Sequence, residues 1–235
     1  MEYSREQLEK VWNGVKYKED RYWAFMMNGG SWRHSDSKYN KQKTFGTFDE
    51  FERYVRAIDA QDVHVKMLIN GSREWVIDVD HDTNNQQCVA LKNMIAHSTF
   101  ARFFGSNITR IMYSGNRGLH IWLDCCQFDL NAERSVRKYY YETVLAPPSK
   151  NNIGMFTQAG SLNDCFMKSF ENSWIKREIA TVYPHIKLSD KAALVKEFFP
   201  YVDKQVFVST KQIRAPYSYN SKGQKFSCDH VLLFE

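Results

Sequence analysis

The chain has 235 residues, 43% apolar and 15% aromatic, which suits a filled core and argues against an intrinsically disordered segment. Its formal charge of +5 is compatible with a polyanionic partner without requiring one. The five cysteines are odd in number and contain no Cys-x-x-Cys spacing, which argues against a disulfide framework and a structural zinc site. No apolar run reaches membrane length, and the polar stretch Met1–Lys10 is unlike a signal peptide, so a soluble intracellular protein is expected.

In chain order, Ser4 followed by Glu6 and Gln7 predicts the cap of a helix carrying Leu8, Val11 and Trp12. Tyr22–Met27 reads as a strand ended by the turn Asn28-Gly29-Gly30, Lys38–Gly46 as a loop, and Thr47 as the cap of a helix whose face is Phe48, Phe51, Val55 and Ile58. Alternation makes Val63–Ile69 a strand before an Asn70-Gly71 turn, and Glu74–Asp80 the next strand. Helical spacing covers Cys88–Phe104. Two strands, Ile108–Tyr113 and Leu119–Cys125, flank the turn Ser114–Gly118. Asn131–Leu145 is expected to be a helix stopped by Pro147-Pro148, and Met155–Pro200 to be mostly helical. Tyr201–Val208 and Lys225–Phe234 read as closing strands. The expected fold is α+β with a largely antiparallel sheet, a single domain over residues 1–235 whose 131–200 segment is mostly helical.

Three constellations carry chemistry. In Trp75-Val76-Ile77-Asp78-Val79-Asp80, Asp78 and Asp80 alternate onto one strand face, roughly 7 Å apart. Such carboxylates repel unless a cation lies between them, and Mg²⁺ binds through few carboxylates while leaving room for phosphates. The ordinary alternative is a pair of solvated acids, weakened by the apolar flank. In Ser114-Gly115-Asn116-Arg117-Gly118-Leu119-His120, glycines let backbone N–H groups approach an anion, Arg117 offers a phosphate-matched fork, Ser114 a hydroxyl, and His120 a donor facing away from the apolar side of its strand. The ordinary alternative is a plain hairpin. The third is the acid-free stretch Lys204–Cys228, where Lys204, Lys211, Arg214, Lys222 and Lys225 are interleaved with Phe207, Tyr217 and Tyr219, a composition suited to phosphates and stacked bases. His81-Asp82 raises a metal-dependent nuclease as a rival, without a surrounding histidine set.

On these motifs the chain resembles the small catalytic subunit of archaeal and eukaryotic primases, and within them the baculovirus late expression factor 1 group. Val76–Asp80 is similar to the family's metal-holding motif, and Tyr113–Leu123 to its triphosphate-binding motif. The resemblance implies Asp203 as a third metal carboxylate, Arg214–Asn220 as a segment completing the nucleotide site, and Arg21 in Arg21-Tyr22-Trp23-Ala24-Phe25 as a further nucleotide contact. Asn116, Arg214 and Asn220 depart from the cellular pattern, which has Arg, Lys and His there, and the cellular zinc cluster has no counterpart, so no zinc is expected.

The resemblance implies a DNA primase making short RNA primers on single-stranded DNA from nucleoside triphosphates. Two Mg²⁺ or Mn²⁺ ions would lie on Asp78, Asp80 and Asp203, with Ser114, Arg117, His120, Arg21 and Arg214 around the triphosphate. It further implies a late expression factor 2-like second subunit and work in the host nucleus. The alternatives are a primer-extending polymerase of the same superfamily and a catalytically silent nucleic-acid-binding subunit.

Overall fold

The Ser4 hydroxyl accepts from Gln7 N at 3.1 Å while the Gln7 side chain accepts from Ser4 N at 2.8 Å. This reciprocal box starts α1 (Arg5–Asn13). Thr47 caps α2 (Phe48–Ala57) in the same way, through Glu50 N. The computed structural model describes residues 2–37, 43–148, 158–209 and 211–233. Residues 38–42 of the expected loop, the start of the expected helical stretch at Met155, and Phe234 lie outside them.

The two helices cover one face of a four-stranded antiparallel sheet ordered β2 (Trp32–His34), β1 (Arg21–Met27), β3 (Ala60–Leu68), β7 (Ile213–Arg214). Trp23 and Phe25 alternate inward with Val63 and Val65. There Trp12 stacks on Trp23 at 5.8 Å, and Phe51 lies 4.8 Å from the same ring. The opposite residues, Ala24 paired with His34 and His64, and His64 paired with Arg214, form a row across the other face.

A second antiparallel sheet is ordered β10 (Cys228–Asp229), β5 (Ile108–Tyr113), β6 (Leu119–Leu123), β4 (Val76–Val79). The 19-residue α3 (Gln86–Phe104), capped by Asn85, packs on it with α5 (Leu162–Ser169), α6 (Ser173–Val182) and α7 (Lys191–Phe198). Alternation sets the role of each face. Ile77, Val79, Leu119, Ile121 and Leu123 enter the cluster under α3. Val76, Met112 and Trp122 point the other way, into the first sheet's core. Asp78 and His120 share the face of Val76 and Trp122, at the end of the strands where that core stops. Among the described residues the fold is α+β, with eight α-helices and every paired strand antiparallel, as the sequence predicts. No described helix is long and apolar enough to cross a membrane.

Some expectations need correction. The helix expected over Asn131–Leu145 is α4 (Arg134–Tyr140), continued by one wider π-type turn at Tyr141–Leu145. Tyr201–Val208 is not a strand: only Val202 bridges Val79, and Lys204–Val208 is α8. Its β-branched and aromatic residues suggest a strand. However, Asp203 Oδ1 accepts from Gln205 N (2.7 Å) and Val206 N (3.1 Å), which starts a helix instead. Lys225–Phe234 holds two separate pairings, β9 (Lys225–Phe226) with β8 (Tyr219–Asn220) and β10 with β5. The short edge strand β2 carries no periodic signal and was not expected.

Candidate active site

Cross-strand register brings the first two motifs together. Asp78 on β4 pairs directly with His120 on β6, and His120 Nε2 stands 3.4 Å from Asp78 Oδ1. Asp80, just past the end of β4, receives Arg117 Nη2 on Oδ2 at 2.8 Å. Asp203 arrives from far along the chain because Asp203 N donates to Asp78 O at 2.8 Å. Asp78, Asp80, Asp203, Ser114, His120 and Arg214 all line one open cleft of about 260 Å³ between the two sheets.

The turn between β5 and β6 is pressed onto β4. A Cβ on Gly118 would lie 1.7 Å from Val79 O, so no other residue fits at this approach. Ser114 Oγ accepts from Asn116 N (3.4 Å) and Gly118 N (3.2 Å), which leaves its own proton for an acceptor in the cleft. Asn220, buried, braces the turn: Nδ2 donates to Ser114 O at 2.9 Å, while Oδ1 accepts from Lys222 N and Gly223 N. The third region therefore builds the turn that the second motif forms.

Arg21, expected as a nucleotide contact, is placed away from the cleft. It is 0% exposed, forms a two-point pair with Glu74 at 2.7 and 3.2 Å, and donates to Lys16 O and Lys66 O. It does not line the cleft. Arg214 does line it, but its Nη1 is 3.0 Å from Asp62 Oδ2 and also donates to Tyr219 O. His81 is buried, with Nε2 3.0 Å from Asn93 Oδ1; burial pushes its pKa down to about 4. It is a core histidine engaged by Asn93 and does not line the cleft, which weakens the motivation for the nuclease rival.

His64 was missed. It lines the cleft beside Arg214, its Nδ1 is buried without a hydrogen-bond partner among the described residues, and the half-exposed Trp32 ring packs edge-on at 4.9 Å. Burial, with Arg214 and His120 adding, holds its pKa well below the ordinary histidine value, so it is neutral. Alternation in Val63-His64-Val65 gives its face, but only the sheet order places that face at the carboxylates.

Each of the three carboxylates is oriented through one oxygen: Asp78 Oδ1 by His120, Asp80 Oδ2 by Arg117, and Asp203 Oδ1 by its helix. In these contacts the second oxygen of each takes no part. Among the described residues no three metal-binding side chains form a closed cluster. An open set of hard oxygen donors beside a phosphate-sized cleft fits Mg²⁺ or Mn²⁺, which take one or two carboxylates together with water and substrate phosphates.

No protein-family model matches the chain. It is 33% identical over 230 residues to the DNA primase of Autographa californica nuclear polyhedrosis virus, covering 96% of this chain and 80% of that one. It is 34% identical over 232 residues to late expression factor 1 of Orgyia pseudotsugata multicapsid polyhedrosis virus, covering 96% and 86%.

Proposed function

The chain belongs to the late expression factor 1 family of baculovirus DNA primases, and from that premise we propose that its cleft joins nucleoside triphosphates into short RNA primers on single-stranded DNA. The observation that carries this reading is the convergence of Asp78, Asp80 and Asp203 with Ser114, Asn116 and His120 in one cleft, with Arg117 held at its edge by Asp80. Asp78, Asp80 and Asp203 would hold Mg²⁺ or Mn²⁺. When bound, such ions lower the pKa of a 3′-hydroxyl and neutralise charge on the triphosphate and the departing pyrophosphate. The residues position and clamp. Arg117 exchanges Asp80 for a phosphate oxygen, which also frees that carboxylate. Ser114 donates its hydroxyl proton to the triphosphate, His120 orients Asp78 and adds a donor, and Arg214 assists from the wall it shares with His64. No side-chain nucleophile is required. The cleft draws residues from both sheets, which supports residues 1–235 acting as one catalytic unit. A second subunit like late expression factor 2 and action in the infected host nucleus complete the proposal, on the strength of the family resemblance.

The test is de novo synthesis on unprimed single-stranded DNA with labelled ribonucleoside triphosphates and Mg²⁺ or Mn²⁺, with and without the second subunit. Short template-dependent products from the wild type, absent with folded Asp78→Ala, are expected. Normal primer yield from folded Asp78→Ala protein would overturn the assignment.

A further inference from the structure

A second cleft, of about 310 Å³, opens at the other ends of the same two elements. β4 runs from beside Arg73 to Asp78 and Asp80, and α8 runs from Asp203 to Val208 and Ser209, which line the second cleft. By strand and helix rise, the two clefts are separated by roughly 8–16 Å.

This cleft is lined by three arginines, Arg73, Arg134 and Arg137, and by no acid. Arg73 and Arg137 are 4% and 5% exposed, and neither forms an ion pair among the described residues. The neighbouring buried acid, Glu74, is engaged by Arg21. Asp129 lies close enough to Arg137 to favour its charge, but hydrogen-bonds Asn131 through Oδ1. Three buried guanidinium groups therefore face one buried carboxylate. Burial first, then the repulsion of Arg137, lowers the Arg73 pKa to about 10, and burial does the same to Arg137, so both remain charged at neutral pH.

A purely structural role accounts for Arg137, which donates to the carbonyls of Ala132, Arg73, Glu74 and Leu130. It accounts less well for Arg73, whose hydrogen bonds among the described residues use Nη1 alone, to Ser209 O and Lys211 O. Nor does it account for exposed Arg134 on the acid-free rim. Uncompensated buried positive charge beside an open polar cleft is what an anion would relieve.

We propose that the arginine cleft is a second phosphate-binding site, taking phosphate groups of a nucleic-acid strand or a free nucleotide at a distance from the carboxylate cleft. The inference stands on charge and burial and does not need the polymerase reading.

The test measures binding of a fluorescent oligothymidylate, of ATP and of pyrophosphate in EDTA, where metal-dependent binding at the carboxylates is silent. Arg134→Ala and Asn131→Asp change exposed lining residues and should leave the fold intact by circular dichroism; Arg177→Ala, exposed on α6, controls for net charge. Both cleft variants are expected to weaken phosphate binding about 3- to 10-fold, and Arg134→Ala to flatten the oligonucleotide salt slope by about 0.7. Loss for the oligonucleotide identifies a strand as the ligand, and loss only for ATP or pyrophosphate identifies a free nucleotide. Unchanged binding of all three, or an equal loss in Arg177→Ala, overturns the proposal. Asp78→Ala should bind normally here, so failure of the polymerase reading and failure of this one are distinguishable.

Discussion

Replacing Arg21 by Ala separates two roles that the sequence leaves confounded. The guanidinium is fully buried and engages Glu74, itself 5% exposed, through two hydrogen bonds. Removing it takes from Glu74 its hydrogen-bonded ion-pair partner and leaves only the nearby charges of Arg73 and Arg137, a loss toward the lower end of about 3–5 kcal/mol. With a urea slope near 3 kcal/mol/M, the unfolding midpoint should fall by roughly 1–2 M.

The pH dependence carries a sign. Burial pushes the Glu74 carboxyl up, but the charge and hydrogen bonds of Arg21 outweigh it, and the net shift lies below the ordinary value of 4.5. A carboxyl lowered in the folded state contributes stability above its unfolded pKa and loses it as pH falls toward the folded one. In Arg21→Ala the Glu74 carboxyl loses the largest influence that lowers its pKa and rises relative to wild type, so the deficit of the variant should be greatest near pH 7 and shrink toward about pH 4. Urea titrations at several pH values, with triphosphate KM measured on folded protein, decide the matter. A stability within about 1 kcal/mol of wild type together with a raised KM would refute the structural role and return Arg21 to the nucleotide.

Asp203 has both a structural and a proposed chemical task, and two substitutions divide them. Asn caps a helix as well as Asp, so Asp203→Asn should keep its stability, whereas Asp203→Ala should lose about 1 kcal/mol; both should lose primer synthesis, and synthesis retained by Asp203→Asn would remove Asp203 from the metal set. Gly118→Ala forces a Cβ to 1.7 Å from Val79 O, so the turn must lift off β4. The expected result is a loss of about 1–3 kcal/mol by thermal or urea unfolding with triphosphate incorporation reduced at least tenfold; wild-type values for both would show that the turn is free to move.

Much of this protein was legible in its residues. Periodicity located α1 to α3 and strands β1, β3, β4, β5 and β6, because a strand or helix packed on one face must repeat its apolar residues at period 2 or 3.6. The same alternation puts Asp78 with Asp80 on one face and His120 opposite Leu119 and Ile121. Spacing along the chain did not reveal where the third carboxylate lies: Asp203 reaches Asp78 through one backbone hydrogen bond and an isolated bridge at Val202, a contact between segments more than a hundred residues apart. It misread Val206-Phe207-Val208 as a strand, since β-branched composition says nothing of a cap three residues earlier. Nor did it distinguish Arg21, matched to a buried glutamate, from Arg117, matched to a cleft aspartate. Local sequence determines which face a side chain occupies; what that face meets depends on the order of strands in the sheets and on which buried charge finds a partner, and those are settled only when distant segments pack.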